Sequence, residues 1–274
     1  MTDIAVVGDG VDFQLNDDGS GVIETIHKRN NFLSRKAPKI KGFGIKGERL
    51  EQVIASNLDA LYIIVSVDEP EFNNKTLDRF LIVGESAGLK TKIILNKSDL
   101  IVADEFDEII ALYQSIGYEI FVCSTKSRAG LEELKKSLVG NTSLFWGPSG
   151  VGKSSLLTAL YPTFELETGA ISKFHNKGKH TTVTVWMHHT EANTNIIDTP
   201  GVREIEPYGI KKEDLGHYFP EFVPFINECK YNTCTHNHEP GCAVTDAVEK
   251  EEISYERYDS YLRILATTES EERF

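Results

Sequence analysis

The chain has 274 residues, 40% of them hydrophobic and 26% charged, and carries a formal net charge of −13. Such a length accommodates about two domains. No run approaches the ~20 apolar residues that a membrane span requires, and the start MTDIAVVGDG has no basic segment leading into an apolar one, so a cytosolic protein without a membrane partner is expected. The acidic balance opposes indiscriminate polyanion binding. Three of the four cysteines crowd between positions 229 and 242, which in that compartment points to a metal site rather than to disulfides.

Residues 1–50 carry short alternating apolar runs, from Ile4 to Val7, Val11 to Leu15 and Gly21 to Ile26, separated by turns such as Asn16-Asp17-Asp18-Gly19. This spacing suggests a small β-barrel or part of one. The segment 34–49, with Pro38, Gly42, Gly44 and Gly47, is expected to be a loop. Residues 27–49 hold eight basic side chains (Lys28, Arg29, Arg35, Lys36, Lys39, Lys41, Lys46, Arg49) against Glu48 alone, a local patch able to contact nucleic acid despite the overall charge. From Glu51 strands and helices alternate. Strands are expected over 61–65, 91–95 and 119–123, and helices over 74–88, 104–116 and 130–138, the pattern of a mostly parallel α/β sheet. Ligand sites in such sheets lie in the loops leaving the carboxyl ends of strands.

Asn96-Lys97-Ser98-Asp99 stands in such a loop. A carboxylate at Asp99 can accept two hydrogen bonds from a guanine's ring N–H and exocyclic amine, a pattern adenine does not offer. Asn96 would hold the loop and the base N7, and the Lys97 stem would pack along the ring. A bare N-K-x-D is weak, but Ser124-Thr125-Lys126 follows the next strand and resembles the element that contacts guanine in GTPases. The wrong base would leave buried polar groups unpaired, so discrimination can be large.

The stretch from Ser143 to Leu160 reads as a strand, a loop and a helix expected to open at Ser155. The loop, Gly147-Pro148-Ser149-Gly150-Val151-Gly152-Lys153-Ser154, is G-x-x-x-x-G-K-[ST], the phosphate-binding loop. Its glycines let backbone N–H groups close around an anion, to which the helix start adds its positive end. Lys153 would reach the β/γ-phosphates and Ser154 would ligate Mg²⁺. Residues 162–180 then form a polar, switch-like loop, ahead of Thr181, Thr182 and a strand from Val183 to His188. One of the two threonines, with Thr182 favoured, would complete Mg²⁺ coordination when the γ-phosphate is present. The strand 194–197 leads to Asp198-Thr199-Pro200-Gly201, in which Asp198 would hold the Mg²⁺ shell and the Gly201 N–H would touch the γ-phosphate. Most GTPases place the phosphate loop before N-K-x-D. The reversed order here is a circular permutation, and it leads the second switch directly into the C-terminal region.

That region contains Cys229, Cys234, His236 and Cys242, three thiolates and an imidazole that make a closed, structural zinc shell. His238 is a less suited substitute for His236. Cys123 lies in the sheet and reads as core. A terminal amphipathic helix is expected from Tyr255 to Leu265.

Nearly the whole chain resembles the ribosome small subunit-dependent GTPase A family (RsgA/YjeQ). The residues that carry the resemblance are Arg29-Asn30-Asn31-Phe32-Leu33-Ser34-Arg35, Asn96 to Asp99, Gly147 to Ser154, His180-Thr181-Thr182, Asp198 to Glu204, and the Cys/His set ending Glu239-Pro240-Gly241-Cys242. The resemblance implies an α/β fold, a circularly permuted P-loop GTPase domain over 51–205. It is flanked by an OB-fold-like RNA-binding domain over 1–50 and a helical zinc-binding domain over 206–274. The N-terminal region is short for a complete OB barrel, so a partial barrel without its first strands is expected there. For the chain as a whole the resemblance implies hydrolysis of GTP to GDP, stimulated by the small ribosomal subunit late in that subunit's maturation, with rRNA contact through 27–49 and a monomeric chain. Val202 occupies the place where many GTPases carry a water-orienting glutamine, and an apolar side chain cannot do that work. His180, as in the resembled family, is the candidate for it, with Lys153 and Thr182 completing the catalytic set. The alternative reading is a zinc-stapled RNA-binding module in which GTP only regulates docking. An ATP-dependent kinase on the same loop is opposed by Asn96 to Asp99.

Overall fold

The computed structural model describes residues 5–37, 51–162, 185–199 and 208–271. Near its start, β1 (Val11–Leu15) and β2 (Gly21–Ile26) form an antiparallel hairpin, and β3 (Phe32–Lys36) pairs antiparallel with β4 (Glu51–Ser56). An isolated parallel bridge from Val7 to Ala55 ties the leading segment to β4. Ser34 to Lys36, expected in a loop, are therefore strand. Alternation explains it: Leu33 and Arg35 are the buried positions, and the run of Pro and Gly begins only at Pro38. The rest of that expected loop, 38–49, lies outside the described residues. Strand pairing also crosses the boundary expected at residue 50. An OB barrel is not shown by these two pairs.

The sheet that follows is built around β5 (Ala60–Ser66), buried along its whole length. A strand covered on both faces needs a continuous apolar run, and Leu61-Tyr62-Ile63-Ile64-Val65 supplies it. Parallel neighbours flank it, β6 (Thr91–Asn96) on one side and β8 (Thr142–Trp146) on the other. Beyond β6 lies β7 (Glu119–Val122), and beyond β8 lie β10 (Asn195–Asp198) and the antiparallel edge strand β9 (Trp186–His189), giving the order β7-β6-β5-β8-β10-β9.

Period-two alternation sorts the core into two layers. Leu61, Ile63, Val65 and Trp146 face α1 (Asn74–Ser86) and α2 (Asp107–Ile116). Tyr62, Ile64 and Phe145 face α3 (Leu131–Leu138) and α4 (Lys153–Leu160). α4 begins at Lys153, two residues ahead of the expected start, so the phosphate-loop lysine is itself the first residue of the helix.

The C-terminal module consists of α5 (Val223–Ile226), α6 (Ala243–Glu249) and α7 (Tyr255–Glu271), around a third core that includes Ile82 of α1. α7 runs six residues past its expected end and lies along α1, with Lys75 3.4 Å from Asp259 and Arg79 bonding Thr267 at 3.2 Å. Between them sits a buried ionic cluster in which Arg257 pairs with Asp78 of α1 and with Glu221, while Tyr113 donates to Asp78 at 2.7 Å. Among the described residues no helix is long and apolar enough to cross a membrane.

Candidate nucleotide site and metal centre

Every described segment singled out for nucleotide chemistry leaves the carboxyl end of a strand of the six-stranded sheet. The phosphate loop follows β8, Asn96 closes β6, Ser124 follows β7 and Asp198 closes β10. The strand order brings β6, β5, β8 and β10 side by side, so these ends form one continuous edge.

The phosphate loop is fixed by two close approaches. A Cβ on Gly147 would stand 2.3 Å from the carbonyl oxygen of Ile64, so only glycine lets the loop leave β8 against β5. At Gly152 φ is +88°, and a Cβ would stand 2.6 Å from Asn96 Nδ2. That amide donates to the Val151 carbonyl at 2.9 Å. A residue more than fifty positions earlier in the chain thereby clamps the phosphate loop. Lys153 is buried, with its ammonium 3.0 Å from Asp198 Oδ1. Burial pushes the Lys153 pKa down, and the neighbouring Asp198 charge opposes that shift. Thr199 donates to the Phe145 carbonyl at 3.1 Å, fixing the chain after Asp198 against β8.

On the base side, Ser124 donates to Asp99 Oδ1 at 2.6 Å and in turn accepts from the backbone N–H groups of Lys126 and Ser127, at 3.2 and 3.1 Å. The Ser124 hydroxyl bond, with Lys126 3.5 Å away adding to it, holds the Asp99 carboxyl below the usual carboxylate range. These contacts reinforce the ionised form that an aspartate already has at neutral pH, so Asp99 presents an acceptor. Lys97 has φ +61°, its stem passes the Gly152 backbone, and its ammonium donates to the Glu69 carbonyl. Sequence reasoning missed two of these features: Ser124 acts on Asp99 through its side chain, and the turn at Glu69 belongs to the site. The clue for the second was available, since a turn leaving β5 must share the carboxyl edge. His180, Thr181, Thr182, Gly201 and Val202 lie outside the described residues.

The chain matches the RsgA GTPase family over residues 26–207. It belongs to that family. Among its relatives, the small ribosomal subunit biogenesis GTPase RsgA 2 of Bacteroides thetaiotaomicron is 41% identical over 271 residues, covering 98% of this chain and 85% of the relative. The small ribosomal subunit biogenesis GTPase RsgA of Flavobacterium psychrophilum is 38% identical, covering 96% and 81%. Two solved structures share the fold. YjeQ from Thermotoga maritima has a TM-score of 0.75 at 32% identity, covering 97% of this chain and 84% of that one. YloQ, a circularly permuted GTPase, has a TM-score of 0.72 at 30% identity, covering 98% and 83%. This RsgA-family chain is accordingly a GTP hydrolase of permuted order, and guanine nucleotide and Mg²⁺ are the substrate and cofactor the family implies. The residues present fit both: Asp99 and Asn96 match guanine, and Asp198 with Ser154 offers the hard oxygen donors Mg²⁺ prefers.

In the RsgA-type C-terminal module, Cys229, Cys234, His236 and Cys242 converge, with their ligand atoms all within 4.8 Å of one another. His236 Nδ1, rather than Nε2, faces the thiols, 3.6 Å from Cys229 Sγ and 3.4 Å from Cys242 Sγ. His238, the alternative ligand, is not in the group. Burial pushes the Cys234 thiol up to about 12 and raises Cys229 as well, so a divalent cation is what would hold the set as thiolates. The loop is braced from outside. Tyr258 and Tyr261 donate to the carbonyls of His236 and Thr235, at 2.7 and 2.6 Å, and Glu239 accepts from Thr235, Asn237 and His238. Such a closed donor set is compatible with structural zinc.

Proposed function

We propose that this chain binds the small ribosomal subunit in the cytoplasm, as a monomer, and hydrolyses GTP late in that subunit's maturation, with turnover stimulated by the subunit. The observation that carries the reading is the clamp of Asn96 on Val151, which joins the guanine motif to the phosphate loop. The names of the relatives support the partner.

The roles follow from the chemistry of the side chains. Asp99 reads the guanine N–H pair, aided by Asn96, Lys97, Ser98 and the Ser124-Thr125-Lys126 segment. The loop from Gly147 to Ser155 cradles the phosphates through its backbone N–H groups, to which Pro148 contributes none, and Lys153 offsets charge developing on the β/γ-oxygens. Mg²⁺, when bound by Ser154, Asp198 and Thr182, would neutralise the triphosphate. Gly201 senses the γ-phosphate, and His180 orients the attacking water that Val202 cannot. Cys229, Cys234, His236 and Cys242 hold one structural zinc. The modules divide into an RNA-contacting unit that runs to the end of β4, a GTPase unit to about residue 205, and the zinc unit. Within the basic segment, Arg29 is held by Asp9 at 2.7 Å and Arg35 is largely buried, so rRNA contact falls to the remaining cations.

The test is phosphate release with and without small subunits, beside sedimentation with subunits in GDP or a non-hydrolysable GTP analogue. Stimulated turnover and preferential co-migration in the GTP-like state are expected. Unstimulated hydrolysis would favour the RNA-binding module instead. His180→Ala is expected to cut stimulated turnover while leaving GDP affinity almost unchanged.

A further inference from the structure

The turn Asp68-Glu69-Pro70, between β5 and α1, matches no nucleotide-binding motif, yet it is built into the same edge. Val67 donates to the Asn96 carbonyl at 3.1 Å, joining the turn's root to the guanine loop. Ser66, only 2% exposed, donates across the turn to the Pro70 carbonyl at 2.7 Å. The far end is pinned as well: Phe72 donates to the Val67 carbonyl at 3.2 Å, and Asn73 caps α1 by accepting from Thr76 at 3.0 Å. Held in this way, the turn presents two groups to the nucleotide loops. The Glu69 carbonyl accepts from the Lys97 ammonium, and the Pro70 ring lies 3.5 Å from where a Cβ of Gly150 would stand.

We propose that Ser66 is a positioning residue for guanine-nucleotide binding: its hydroxyl closes the turn, the turn fixes Lys97, and Lys97 is thereby pre-set beside Gly152 before the base arrives. This rests on the nucleotide reading of the site given above. A lysine stem is among the most flexible side chains, so fixing it in advance removes freedom that binding would otherwise have to remove. The effect falls mainly on the base side, because Ser66 acts through Lys97 and none of these contacts reaches Lys153 or Asp198, while the turn's approach to the phosphate loop is the apolar Pro70 ring beside Gly150.

The experiment compares Ser66→Ala with the parent chain for two probes, GDP and inorganic tripolyphosphate, and places both Ser66→Ala and Lys97→Met in a double-mutant cycle. Loss of one hydrogen bond that acts through Lys97 is expected to weaken GDP about three- to tenfold, raise KM for GTP by the same factor and leave kcat unchanged. Tripolyphosphate, which does not reach the base loop, should lose less than about twofold, well below the loss for GDP. In the Lys97→Met background, Ser66→Ala should add less than about twofold. If Ser66→Ala does not fold, Ser66→Cys, which keeps the size and a weak donor, should give an intermediate loss of GDP affinity. GDP affinity unchanged, a parallel loss of tripolyphosphate, or full additivity with Lys97→Met would each overturn the proposal. A parent chain that binds neither probe would instead overturn the nucleotide reading itself.

Discussion

Gly152→Ala tests how tightly the guanine motif and the phosphate loop are bound into one site. The backbone at 152 has φ +88°, a region that costs an L-residue roughly 1–2 kcal/mol. The new Cβ would also stand 2.6 Å from Asn96 Nδ2, so the amide must move and its 2.9 Å bond to Val151 is lost, a further cost of about 0.5–1.5 kcal/mol. Without nucleotide the variant loop can relax out of this arrangement, so the cost appears when binding restores it. A total of about 1.5–3.5 kcal/mol predicts GDP binding weakened roughly 10- to 400-fold. The assay is titration with a fluorescent GDP analogue, paired with a thermal melt. Gly140→Ala is the control, since φ there is +75° but the added Cβ meets nothing within 4 Å: it carries the strain without the collision. A Gly152→Ala protein that binds GDP within twofold of the parent would refute the claim that Asn96 and the phosphate loop depend on each other.

Three further outcomes follow from the packing. Arg257→Met leaves Asp78 as an uncompensated buried carboxylate beside the part-buried Glu221, a cost of about 3–5 kcal/mol that should lower the melting temperature by about 10 °C; a shift under 2 °C would show that the cluster contributes little. Asp9 is held down to about 2 by the side-chain bond from Arg29, with Ser56 and the Val6 N–H adding to it against burial. A depressed carboxyl pKa gives stability that is full above the unfolded value near 3.8 and is lost as pH falls toward 2, so Asp9→Asn should flatten acid unfolding across that window. Superimposable acid titrations of the two proteins would contradict this. Stripping metal with a chelator is expected to abolish the helical signal contributed by the C-terminal module, because Cys234 and Cys242 form part of its core. Retention of full helicity after metal removal would rule out a structural role for the ion.

The sequence alone determined the type and order of most elements. An apolar run as short as Leu61 to Val65, rich in β-branched and aromatic residues, reads as a strand buried on both faces, and the phosphate loop, Asn96 to Asp99 and the Cys/His set are short patterns whose chemistry is local. It also carried the permutation, because motif order is a property of the chain. Strand β3 escaped it: the segment's Gly and Pro content outweighed a two-residue alternation at Leu33 and Arg35 whose meaning depends on the partner β4. Only the tertiary structure decided which groups act on which. That Asn96 clamps Val151, that Ser124 bonds Asp99, that Lys97 is held by the Glu69 turn and that Arg257 ties the C-terminal module to α1 are contacts between segments remote in sequence. Such contacts are set by strand order and side-chain packing, and no local pattern encodes them.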